Sequence, residues 1–232
     1  MGELKLSELQ AEVRANLGGR ADLDSRLTRL LNLAQTRIAR RRDFEEMQRG
    51  PTSLTLTYTG VPVDDKTKTL AQNTREVYAI VLLDGVQSHR LKRRTQQWFN
   101  THVPAPDVLA TRAPLIYALW GSNITTWPVV DKQYDAELWW SAWPTPFSDS
   151  NPNQLSDLKE KDDLLIALAT HNAFQSLGKR DDAQQWFAIY SSMMRDALLE
   201  DAESPDLNLG GDPDIDRITG NYWQDPFVRE AP

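Results

Sequence analysis

The sequence predicts an α+β fold: helical hairpins from the N- and C-terminal regions, a central antiparallel β region and an extended C-terminal tail. Three observations carry this reading. Apolar residues recur at helical spacing before residue 47 and again between 161 and 201. Between about 52 and 143 the pattern turns to alternation with turn residues between the runs, and six of the eight tryptophans fall between Trp98 and Trp143. From Asp196 to Asp216 there are eight acidic residues and no basic one, with Gly and Pro among them.

At 232 residues the chain can bury one good-sized core. The net charge of −7 gives it no general attraction for nucleic acid. With no cysteine, disulfides and thiolate zinc sites are excluded. Met1-Gly2-Glu3-Leu4-Lys5 lacks the apolar core of a signal peptide, and no apolar run approaches membrane-spanning length. The expectation is a soluble protein, cytoplasmic at synthesis, that engages no membrane.

Residues 4–17 carry Leu4, Leu6, Leu9, Val13 and Leu17 at helical spacing, with Ser7 and Gln10 placed for a capping box and Gly18-Gly19 as the stop. Asp22 or Asp24 caps a second helix, 24–47. Its apolar stripe is Leu23, Leu27, Leu30, Leu31, Ala34 and Ile38. Its other faces hold Arg26, Arg29, Arg37, Arg40, Arg41 and Arg42, partly neutralised by Asp43, Glu45 and Glu46. Such a run suits DNA phosphates or an acidic partner, and equally a solvated helix face whose last turns favour positive charge.

Gly50-Pro51 breaks the helix. Leu54, Leu56 and Tyr58 alternate along a first strand, and 60–65 is a turn. Residues 76–83 form a strong strand with a hairpin signal at Asp84-Gly85. The basic stretch 88–94 is an edge strand protected by charge, or a short polar arm. The prolines at 104, 106 and 114 mark a loop. A second hairpin covers 115–128 around Gly121-Ser122-Asn123. The aromatic strand 136–143, with Trp139, Trp140 and Trp143, brings the count to four or five antiparallel strands.

After the joint of Pro144, Pro146 and Pro152, a helix over 161–177 carries Leu164, Leu165, Leu168, Ala169, Ala173 and Leu177 at close to the 3.6-residue period. Asp162 and Asp163 sit in its first turn, where the macrodipole favours negative charge. Gly178 takes the left-handed stop. A second helix, 181–201, places Ala183, Trp186, Phe187, Tyr190, Met194, Ala197 and Leu198 on one broad face and packs antiparallel to the first. The chain thus divides into a body, 1–202, and an arm, 203–232. The arm carries Tyr222, Trp223, Phe227 and Arg229, which either dock into a partner or fold back on the body.

No catalytic or cofactor motif is present, so no enzyme activity and no cofactor are expected. His89, His102 and His171 lie far apart without acidic or histidine neighbours at ligand spacing. Asp162-Asp163 and Asp181-Asp182 each open a helix, which accounts for them without a metal.

One order of elements stands out. An aromatic strand and a Pro/Ser/Asn joint lead to Asn153-x-Leu155 and Asp163-Leu164-Leu165-Ile166-Ala167-Leu168-Ala169. Ala173, Leu177, Asp182, Trp186 and Tyr190 come next. Near the front stand Leu33-Ala34-Gln35-x-Arg37-Ile38-x-Arg40, Asp43-Phe44, Met47 and Val61-Pro62-Val63-Asp64. This arrangement resembles the head-to-tail adaptor (connector) proteins of short-tailed bacteriophages over about residues 20–200. The chain departs from their pattern at Asp162, where proline is common, and at Lys66-Thr67-Lys68, where an aromatic often stands. Beyond residue 200 the tail carries no motif that can be placed, though C-terminal arms in such adaptors commonly reach to the portal.

The resemblance implies a structural virion protein without chemistry. Such adaptors form a ring of about twelve copies with cyclic symmetry. The ring sits beneath the portal protein, continues the DNA channel, which passes DNA without sequence-specific binding, and meets the tail tube or nozzle protein. By the same analogy Tyr222, Trp223, Phe227 and Arg229 form a portal-docking arm. Arg37, Arg40, Arg41 and Arg42 meet a neighbouring subunit or line the DNA channel. The alternative reading is a DNA-binding or regulatory protein that uses the arginine-rich helix 24–47, marked by DNA affinity that falls steeply with salt. A hydrolase would need a clustered polar pocket that the sequence does not display.

Overall fold

The computed structural model describes residues 4–61, 65–85, 87–103 and 111–203. The class is α+β. Helices α1 (Leu6–Asn16), α2 (Asp24–Arg41), α4 (Asp162–Ser176) and α5 (Arg180–Glu203) build one core, and two four-stranded sheets build another. The short helix α3 (Gln96–His102) covers the second sheet.

In the helical part α4 is the centre, packed by α1, α2 and α5. Every residue from Leu164 to Thr170 is buried, as are Asn172, Ala173 and Phe174. The one-sided apolar face expected from the sequence is therefore incomplete: a helix enclosed by three others is buried all round. Its end agrees with expectation. Gly178, at φ +74°, closes a Schellman motif in which Lys179 N–H donates to the Phe174 carbonyl (3.1 Å) and Gly178 N–H to that of Gln175 (3.2 Å). The chain then reverses into α5, and His171 Nδ1 donates to the Ala183 carbonyl across the pair (2.8 Å).

Two cap assignments are corrected. Helix α1 starts at Leu6, with Lys5 rather than Ser7 at its N-cap; Lys5 N–H donates to Glu8 Oε2 (2.7 Å). The Leu6 and Ser7 amides donate to the carbonyls of Gln154 (2.8 Å) and Pro152 (3.0 Å), so the joint satisfies this helix end. Neither Asp22 nor Asp24 caps α2, because Asp22 pairs with Arg20 and Asp24 with Arg14.

Helix α2 ends at Arg41, well short of Met47. Arg42 is extended, and a 3₁₀ turn occupies Glu45–Met47. Phe44 and Met47 are both fully buried in the helical core. Arg75 Nη1 donates to the Arg42 carbonyl and to Asp43 Oδ1 (3.1 Å each), which draws the chain out of helical geometry.

The first sheet has the order β1 (Gln48–Leu56), β8 (Tyr134–Ala142), β3 (Thr74–Asp84), β4 (Gln87–Arg90), all antiparallel. Gly50-Pro51 does not break the chain: it lies inside β1, at a shift of register between Arg49 and Thr52. Tyr58 falls beyond the strand and is exposed. The turn after it is closed by the buried Asp65, whose carboxylate accepts from the Thr59 (2.7 Å) and Gly60 (3.1 Å) amides.

The second sheet has the order β2 (Thr67–Thr69), β7 (Asn123–Trp127), β6 (Ile116–Trp120), β5 (Lys92–Arg94). Its β5–β6 pair is parallel, a departure from the antiparallel region expected. The basic stretch 88–94 supplies an edge to both sheets. Buried Leu91 turns the chain from one to the other, its N–H on the Ile80 carbonyl (2.8 Å) and the next amide on that of Leu115 (2.9 Å). The sheets share a core of Leu54, Leu56, Ile80, Leu82, Tyr117 and Ile124, among others.

The joint 143–158 binds the β part to the helices. Asn32 exchanges two hydrogen bonds with the Phe147 backbone, accepting at Oδ1 (2.7 Å) and donating from Nδ2 (3.0 Å). Thr28 bonds Asp149, and Lys161 pairs with Glu46 beside the Phe44 ring.

Candidate assembly surfaces

No group of three or more His, Cys, Asp or Glu among the described residues could hold a metal ion. The histidines are engaged separately: His89 Nε2 with the Pro114 carbonyl (3.2 Å), His102 stacked on Trp98, and His171 as above. Asp162 Oδ2 accepts from the Leu4 amide (2.7 Å) and so ties α1 to the start of α4. No helix among the described residues is long and apolar enough to cross a membrane.

What the body offers instead is charged and apolar surface. The sequence singled out Arg37, Arg40, Arg41 and Arg42, and the structure separates them. Arg37 is exposed but donates from Nη1 to Asn172 Oδ1 on α4 (2.7 Å). Arg41 and Arg37 both lie near the buried phenol of Tyr190 on α5. Burial pushes that phenol above its ordinary value, and the two arginines oppose the shift. Arg42 has left the helix and is half-buried, its carbonyl held by Arg75. Arg40 stays on the open side.

Arg26 and Arg29, left out of that set, belong with Arg40. Arg26, Arg29, Leu33, Arg37 and Arg40 recur every three or four residues and line one side of α2, all exposed. Helical spacing alone could have found this stripe. It could not show which arginines are engaged, because Asn172 and Arg75 lie far off in sequence. The proposed arm residues Tyr222, Trp223, Phe227 and Arg229 lie outside the described residues, as does Val61-Pro62-Val63-Asp64 apart from its first member.

The β part has its own exposed feature. Trp120 ends β6 at the tip of the β6–β7 hairpin, 68% exposed, beside Gly121 at φ +60°. A tryptophan left this open in a folded body is suited to contact with another macromolecule.

A two-core body with charged helix faces and an exposed aromatic tip offers surfaces suited to assembly. The family model described as SU10 adaptor protein matches residues 4–210, nearly the whole chain, and the protein belongs to that family. No curated protein matches the chain. The family makes it a phage adaptor, a structural virion protein and not an enzyme.

Proposed function

We propose that this adaptor forms a ring of about twelve copies beneath the portal protein, joins the capsid to the tail and continues the DNA channel. The observation that carries the reading is the family match over residues 4–210, to which the body adds surfaces fit for assembly rather than chemistry. In this reading residues 1–202 are the ring-forming adaptor domain and 203–232 an extended C-terminal arm. Tyr222, Trp223, Phe227 and Arg229 are its portal anchors, aromatic side chains of the kind that dominate interface energetics. The β part, with Trp120 at its tip, faces the tail tube or nozzle protein. DNA passes through the channel without sequence-specific binding, since walls that gripped phosphates would slow it.

The test is sedimentation of the full-length protein with and without the portal ring of its own virus. A ring-sized complex is expected. No complex, together with tight duplex binding that falls steeply with salt, would replace this reading with the DNA-binding one.

A further inference from the structure

We propose that the arginine stripe of α2 is one half of an interface between copies of this chain. Its other half is the outward side of the C-terminal half of α5 on a second copy. The inference rests on the adaptor reading and names the partner of the stripe.

The two sides are built alike and opposite in net charge. On α2 the exposed Leu33, 43% open, sits between Arg26 and Arg29 on one flank and Arg37 and Arg40 on the other. On α5 the residues turned toward the core are Ala183, Tyr190 and Met194, and the side turned away carries Ile189, Arg195, Asp196, Leu199 and Glu200. Ile189 is 41% and Leu199 59% exposed, so each stripe has open aliphatic side chains set among charges, all positive on α2 and, on α5, Asp196 and Glu200 against the single Arg195. Among the described residues Arg26, Arg29, Arg40, Asp196 and Glu200 make no ion pair. From Arg26 to Arg40 the α2 stripe runs about 21 Å, and from Ile189 to Glu200 the α5 stripe runs about 16 Å, so the second fits within the length of the first.

The charge of the chain is divided in the same way. Residues 1–195 hold 24 basic and 23 acidic side chains, whereas 196–232 hold two basic and ten acidic. The negative net charge therefore belongs to the end of α5 and the residues beyond it. Both stripes are exposed within one copy, so bringing them together takes two. Pairing α2 with α2 would set arginine against arginine, which costs affinity. Pairing α2 with α5 joins two different patches, the heterologous contact from which a closed ring is built. A nucleic-acid partner fits less well: phosphates gain nothing from Leu33 and are repelled by the acidic end of the same body.

The absence of cysteine gives a direct test in the full-length protein. The double variant Leu33→Cys/Leu199→Cys is oxidised at high concentration in solution and again after loading on the portal ring. Expected are covalent dimers, trimers and longer ladders from the double variant and none beyond dimers from either single variant. Adding Arg29→Glu/Arg40→Glu should cut the ladder about tenfold or more, and adding Asp196→Lys/Glu200→Lys to that background should restore it. Melting curves of the variants check that each stays folded.

Efficient dimers from Leu33→Cys alone, a bond within one chain, or no ladder on a portal-bound assembly would each overturn the interface. So would an arginine variant that loses duplex binding while its ladder persists. If ladders form but the wild-type chain never joins the portal, the adaptor reading fails and the interface stands.

Discussion

Gly50 lies directly against Trp139 across the β1–β8 pair: a Cβ added to the glycine would sit 3.0 Å from the Trp139 ring and 3.2 Å from its Cα. The glycine also holds φ at +151°, a region L side chains rarely adopt. The sharp local signal of Gly50-Pro51 is thus spent on letting one backbone approach another, and the strand continues past it.

Gly50→Ala should therefore destabilise the β part by about 1–3 kcal/mol, through strain at φ and displacement of Trp139. Urea unfolding monitored by tryptophan fluorescence measures it. An unchanged midpoint would mean that β1 is not paired with β8 as described.

Leu165 has no exposed surface, and three helices surround the helix that carries it. Leu165→Ala should cost about 2–5 kcal/mol, because an enclosed site cannot collapse to fill the space of the lost atoms. Leu33→Ala, on the exposed side of α2, should change stability by no more than about 0.5 kcal/mol. Similar losses at the two positions in thermal melting would contradict the placement of α4 at the centre.

How much of this was legible in the sequence depends on where the deciding partner sits. The α4–α5 hairpin is written locally in Leu164 to Leu177, in Gly178 and in the run from Ala183 to Leu198, and it was readable. The end of α2 is set by Arg75, more than thirty residues away, so no local pattern announces that Arg42 leaves the helix. The division of 88–94 between two sheets turns on one buried leucine, Leu91, fixed by the Ile80 carbonyl on one sheet and, through the next amide, by the Leu115 carbonyl beside the other. On the candidate surface, helical spacing gives the stripe from Arg26 to Arg40. The engagement of Arg37 by Asn172 and the burial of Tyr190 beneath Arg41 and Arg37 are tertiary facts.

Tyr117 and Tyr190 set an alkaline limit on stability. Burial raises both phenols above the ordinary value of 10.0; nearby Arg93 and Arg90 oppose the shift at Tyr117, and Arg41 and Arg37 oppose it at Tyr190. A raised folded-state value means that the unfolded chain releases these protons first. Their contribution is whole below about pH 10 and is lost as pH rises through the folded-state values. Unfolding free energy should therefore stay level with respect to these groups at neutral pH and fall above about pH 10. Tyr190→Phe should make that fall shallower. A Tyr190→Phe protein with the same alkaline slope as wild type would remove Tyr190 from the account.

Truncation after Glu203 separates the body from its arm. Among the described residues the buried side chains of both large cores end at Met194, with Ala197 and Leu198 packed against the helical one. If 203–232 is an arm, the 1–203 protein should keep its melting temperature within a few degrees. It should lose most of its co-sedimentation with the portal ring, because Tyr222, Trp223 and Phe227 go with the arm. Equal portal binding by the full-length and 1–203 forms would move the portal contact from the arm to the body. A large drop in melting temperature would show instead that the arm folds back and completes the body.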